Sequence, residues 1–142
     1  MKRLLIVAFG VLGVVAAGPV WADDLTGANR FICSTGSISV CCDDGACASG
    51  TAGELGLPEF LEFDLVQKRV STTKASGLNR ASTLDNVTRE NGNIVAQGVD
   101  YGRAYSFVIN EKTGATSTAV AVEEAGCTIT AFGACTPLAA GK

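Results

Sequence analysis

Between Glu90 and Gly126 the chain is punctuated at intervals of about ten residues by glycine-closed turn signals: Glu90-Asn91-Gly92-Asn93, Asp100-Tyr101-Gly102, Glu111-Lys112-Thr113-Gly114 and Glu123-Glu124-Ala125-Gly126. The runs they bound, Thr83–Thr88, Ile94–Val99, Arg103–Asn110, Thr116–Val122 and Cys127–Phe132, are of strand length and rich in β-branched and aromatic residues. Asn-Gly and Gly at such positions supply the positive φ that tight hairpins require. Regular spacing of this kind leaves little choice but an antiparallel meander.

The side-chain faces sharpen that reading. Tyr105, Phe107 and Ile109 fall on one side of their run, with Ala104, Ser106 and Val108 on the other. Both faces are fairly apolar, which predicts cover on both sides and hence a small sandwich or barrel. Thr116, Thr118, Val120 and Val122 alternate with Ala115, Ser117, Ala119 and Ala121. Ala and Glu are good helix formers, so a helix over 115–125 is the competing reading. The Thr and Val content and the bounding Gly114 and Gly126 favour a strand. Upstream, Leu61, Phe63 and Leu65 alternate with Glu62 and Asp64, the period of a half-buried strand. Gln67-Lys68-Arg69 reads as a turn, Val70–Thr73 as the returning strand and Ala75–Arg80 as loop.

The amino terminus has a different origin. Lys2-Arg3, an uncharged apolar or glycine run from Leu4 to Ala17, then Gly18-Pro19 and Val20-Trp21-Ala22 follow the order of a cleavable secretory signal, with Asp23-Asp24 ending the hydrophobicity. We therefore expect residues 1–22 to be a signal peptide and the mature chain to keep no stable membrane anchor. Residues 23–57, rich in Cys, Gly and Ser, read as a loop-rich segment with short strands at Phe31-Ile32-Cys33 and Ile38-Ser39-Val40. Residues 58–142 read as the antiparallel β domain, and 23–142 as one mature unit. The fold class expected is thus all-β, with a disulfide-tied amino-terminal segment.

Six cysteines remain after processing, Cys33, Cys41, Cys42, Cys47, Cys127 and Cys135. An even count in an exported chain reads first as disulfides, with fifteen possible pairings. Cys127 and Cys135 are eight residues apart, about 26 Å if the strand continues, too far for a bond to each other. Each would then pair with one of the four amino-terminal cysteines. Cys41, Cys42 and Cys47 also admit a thiolate metal or redox reading. Structural disulfides outweigh it, because Cys41 and Cys42 point oppositely on a strand, each free to pair elsewhere. Of the zinc ligand spacings, Cys42 and Cys47 reach only the upper limit, while Cys33 stands well outside.

Charge and absences narrow the function classes. Without Lys2 and Arg3, nine basic residues face fourteen acidic ones, a net charge of −5, and no basic run exists. Nucleic acid is therefore not an expected partner. The chain has no His, which removes the commonest general base and metal ligand. We assign no catalytic residue, no cofactor and no metal. Asp43-Asp44-Gly45 lacks the alternating acidic ligands of a calcium loop and reads as a turn. Glu62 and Asp64 read as solvated strand residues. Tyr101, Arg103 and Tyr105 gather residue types enriched at interface hot spots around one hairpin, and form the candidate interaction patch.

Gln97-Gly98, Gly102-Arg103, Tyr105-Ser106, Ile109-Asn110, Thr113-Gly114, Phe132-Gly133-Ala134-Cys135 and Phe31-Ile32-Cys33 together resemble a pattern found in small exported proteobacterial proteins. That group has no assigned activity, so the resemblance implies a bacterial source, export and a β-rich fold. The function expected is a non-catalytic periplasmic or secreted binding module for an unknown protein partner. The alternatives are a lipocalin-like carrier of a small apolar ligand and the thiol-based metal or redox protein.

Overall fold

A computed structural model describes residues 23–76 and 78–139, and the expected signal peptide lies outside them. Ten strands run in chain order as β1 (Arg30–Cys42), β2 (Cys47–Thr51), β3 (Phe60–Asp64), β4 (Arg69–Thr72), β5 (Ala81–Thr83), β6 (Asn86–Glu90), β7 (Asn93–Asp100), β8 (Arg103–Asn110), β9 (Ala115–Val122) and β10 (Cys127–Pro137). All pairings are antiparallel. The sheet order is β5-β4-β3-β1-β10-β9-β8-β7-β6, with β2 also on β1. The expected all-β antiparallel meander is therefore present.

Its closure follows from the connectivity. β5 and β6 end the sheet on opposite sides, yet only Leu84 and Asp85 separate them in sequence. Three peptide steps span at most about 11 Å, so the two edges must meet. The sheet curls into a half-barrel whose edges share no ladder.

Side chains tie the seam instead. The Tyr105 hydroxyl donates to the Thr83 carbonyl, and the Val99 N–H donates to Asp85 Oδ2 at 2.9 Å. Tyr105 reaches β5 by crossing Gly98, its direct partner on β7. A Cβ at Gly98 would stand 2.6 Å from both the Thr83 oxygen and the Tyr105 hydroxyl, so only glycine fits beneath the ring.

Three sequence expectations change. Residues 23–57 are not chiefly loop, because β1 is a 13-residue strand at the centre of the sheet. A bulge between Thr35 and Ile38 shifts its register against β10. Phe31 and Cys33 face inward before it, and Ile38 after it. One strand thereby changes phase midway and reads as two fragments. Gly133 lies at that crossing, where a Cβ would meet the Ser34 oxygen at 2.0 Å. The run expected over 83–88 is the second change. It is broken into β5 and β6 because the chain must cross the seam, burying Leu84 and using the Asp85 carboxylate. Third, β8 is covered on its inner face alone, and Val108 on the outer face is 40% exposed.

The interior is filled unevenly. Phe31 stacks on Phe63 with centroids 5.1 Å apart, and Phe107 meets Phe63 edge-on at 5.0 Å. Leu25, Leu84, Ile94, Ile109 and Cys135 complete this packed end. A smaller cluster of Ile38, Ala52 and Ala131, with Leu55 and Leu57 against it, lies under the loop joining β2 to β3.

Candidate functional site

Away from the aromatic cluster the inward side chains become small, and the half-barrel stays open. β9 turns only Thr116, Thr118, Val120 and Val122 inward, each half-buried. β10 adds Ile129 and Cys127, β1 adds Val40 and β3 adds Leu61, again half-buried. The result is a cavity of about 400 Å³, walled by Val40, Leu61, Val120, Val122, Cys127 and Ile129 with Val70, Tyr105, Phe107 and, from the β2–β3 loop, Leu57 and Pro58. Thr116 and Thr118 lie instead beside Phe63 and Phe107. Small-molecule sites are typically apolar clefts of about 300–1,000 Å³ with a few placed polar groups.

The polar groups lie on the rim. Ser71, Thr72, Arg80, Ser82 and Arg103 line the same cavity. Arg80 is set by its backbone: its N–H donates to Thr72 Oγ1 at 3.0 Å, and its carbonyl accepts the Thr72 N–H at 2.9 Å. Arg103 opens β8 and is the register partner of Asp100 on β7 and of Val122 on β9. The ion pairs among the described residues are Arg30–Asp64 and Arg89–Glu111, so neither rim arginine takes part in one.

The structure brings the expected patch together. Tyr101, Arg103 and Tyr105 surround one polar recess with Asn79, Arg80, Ser82 and Asp100, and this recess adjoins the cavity. The three have different roles in the fold. Tyr105 is half-buried and lines the cavity, and its hydroxyl holds the seam. Burial pushes its phenol above the ordinary tyrosine range, with the carboxylates of Asp100 and Asp85 adding to the shift against a hydrogen bond from Ser82. Tyr101 is 89% exposed at the hairpin tip with φ of 48°, beside Gly102 at 70°. Asn or Asp suits that position far better than a bulky aromatic.

Sequence reasoning did not find Arg80, Ser82, Val40 or Leu57. Arg80 and Leu57 come from loops, Ser82 from an edge strand and Val40 from the central β1, all far apart in the chain, and none carries a local signal.

The cysteines form three cross-strand disulfides, each between direct register partners: Cys33–Cys135 and Cys42–Cys127 join β1 to β10, and Cys41–Cys47 joins β1 to β2. Cys127 and Cys135 thus each reach back to the amino-terminal four, as the span of β10 demands. No thiol is free. A thiolate centre at Cys41, Cys42 and Cys47 would need two disulfides reduced. Disulfides of this number belong to chains that mature in an oxidising, extracytoplasmic compartment. Among the described residues no helix is long and apolar enough to cross a membrane. Asp64, one of the outer-face carboxylates, pairs with Arg30 at 3.6 Å and accepts the Gln67 N–H.

No protein-family model matches this chain, and no curated protein matches it in sequence.

Proposed function

We propose that the chain is an exported, non-catalytic binding module, periplasmic or secreted, that takes a small apolar molecule into the open end of the half-barrel. The observation that carries this reading is the cavity itself: half-buried Val40, Leu61, Val120, Val122 and Ile129 converge on one space of about 400 Å³ instead of packing together. Leaving such side chains accessible forgoes roughly 25 cal/mol for each Å² of apolar surface, and a ligand recovers that term. Three disulfides hold the walls in place before a ligand arrives, which limits the ordering cost of binding.

A protein partner would meet the outer face of β7 to β10, where Val99 and Phe132 are exposed. On that face Val95, Val108, Ser117 and Phe132 form one cross-strand row, and Val99, Ala104, Ala121 and Thr128 another. The row Gln97, Ser106, Ala119, Thr130 separates them. The polar side chains of Gln97, Ser106 and Thr130 interrupt this face, and its recess is a shallow one on the open surface of the sheet, so we place the cavity first.

The test is titration with the neutral fluorophore 1-aminoanthracene. Saturable one-to-one binding, abolished by Val120→Trp in a variant that still melts cooperatively, is the expected result. Binding that does not saturate, or that is indifferent to Val120→Trp, would refute the cavity as the site.

A further inference from the structure

We propose that the molecule taken up is a short single-chain amphiphile with a monoanionic head, its apolar chain in the cavity and its head on Arg80 and Arg103. This rests on the cavity-binding reading and specifies the ligand class. The chain half of the argument is the lining, which below the rim is almost wholly aliphatic or aromatic. The head half is the placement of two guanidinium groups on one rim. Both Arg80 and Arg103 border the apolar cavity and the adjoining polar recess, so they stand at the boundary where an amphiphile changes character. Neither is taken up by an ion pair among the described residues. The mature chain has only nine basic residues against fourteen acidic ones, so two arginines on one rim are a local reversal of its charge.

The sign and size of the head follow from the neighbours. Asp100 shares the recess and faces Arg103 across the hairpin. Among the residues lining the cavity and the recess, two arginines and one aspartate leave a charge of +1, which suits a monoanion and disfavours a dianion or a cation. The Asp85 carboxylate lies outside both and is engaged by the Val99 N–H. Glu123 lies on the other side of Arg103, against the outer surface and not the cavity. Guanidinium groups present a planar fork that matches a carboxylate in bidentate fashion. The Ser71 and Ser82 hydroxyls on the same rim can donate to a second oxygen. The cavity sets the length: about 400 Å³, at roughly 30 Å³ for each water-sized group, holds about a dozen non-hydrogen atoms. A saturated acid of about ten carbons fits that space.

The experiment is calorimetric titration of the disulfide-intact chain from Asp23 with decanoate, decanol and decyltrimethylammonium at low salt. We expect decanoate to bind at least ten-fold more tightly than decanol, and the cation to bind most weakly. The double variant Arg80→Gln, Arg103→Gln should lose at least ten-fold for decanoate and stay within two-fold of the parent for decanol. Decanol affinity serves as the check that the variant is folded. Equal affinity for decanoate and decanol, preference for the cation, or decanoate binding untouched by the double variant would overturn the anionic head and leave the cavity reading standing. If none of the three binds and 1-aminoanthracene also fails, both readings fall.

Discussion

The two ends of the half-barrel are built by the same strands and differ in what those strands turn inward. At one end Phe63 stacks on Phe31 and meets Phe107 edge-on, each at about 5 Å, and Leu25, Leu84, Ile94 and Ile109 have no exposed surface. At the other end Val120, Val122 and Ile129 stay half-exposed around an open cavity. β8 crosses from one to the other within a few residues, with Ile109 buried and Tyr105 lining the cavity. The curvature of a sheet encloses a volume, and side-chain size alone decides whether that volume becomes core or pocket. At the open end β9 supplies only the half-buried Val120 and Val122 to the interior, whereas at the packed end its Thr116 and Thr118 face Ile109 and Phe107. Stability should therefore be concentrated at the aromatic end, and binding at the aliphatic one.

The largest effect should come from truncating the aromatic cluster. Phe63→Ala removes the ring that touches both Phe31 and Phe107, and should cost about 3–5 kcal/mol. Val120→Ala, made at the open end, should cost less than about 1 kcal/mol, because a half-exposed methyl pair leaves no sealed cavity. Urea unfolding of both variants decides this, and equal losses would break the contrast between the ends.

A second variant tests the seam where the ends of the sheet meet. Gly98→Ala would push a methyl to within 2.6 Å of the Thr83 oxygen and the Tyr105 hydroxyl, so Tyr105 must swing away. The expected loss is about 1–3 kcal/mol, with faster amide exchange in β5 and β7. Unchanged exchange there would mean that Tyr105 does not hold the seam.

The smallest effect concerns pH. The Tyr105 phenol is raised in the fold, mainly by burial. Its contribution to stability is intact below about pH 10, the value for an unfolded tyrosine. As pH climbs from there through the folded value, the unfolded chain releases its proton first and stability falls. Tyr105→Phe should lower stability near neutrality by about 1 kcal/mol, for the lost bond to Thr83, and should flatten the alkaline decline. Melting temperatures from pH 8 to 11.5 measure both, and an undiminished decline in the variant would assign the alkaline loss to another group.

Local patterning carried much of the architecture. The hairpins from Asn93 to Phe132 were legible because glycine turns and period-two alternation are both short-range. There the boundaries of β7, β8 and β9 agree to within one residue, while β10 runs on to Pro137, five residues past the expected end. The alternation of Leu61, Phe63 and Leu65 likewise marked an inward face. β1 was not legible as a single strand, since its alternation changes phase at the bulge and Gly36 within it reads equally as a break between two short runs. The site was half legible. Tyr101, Arg103 and Tyr105 stood out as a hairpin cluster, whereas Arg80 sat in an ordinary polar stretch.

Alternation, turn chemistry and an even number of cysteines settle in this chain that it is a disulfide-bearing antiparallel β protein, since each depends only on neighbouring residues and on backbone sterics. Which cysteines pair, where β1 slips register, and how Leu84 and Asp85 draw the two sheet edges together depend on contacts between residues as far apart as Cys33 and Cys135, 102 positions along the chain. The cavity belongs to this second kind. It is the space left when a curled sheet places small side chains from β1, β3, β9 and β10 opposite one another, and no single strand encodes it.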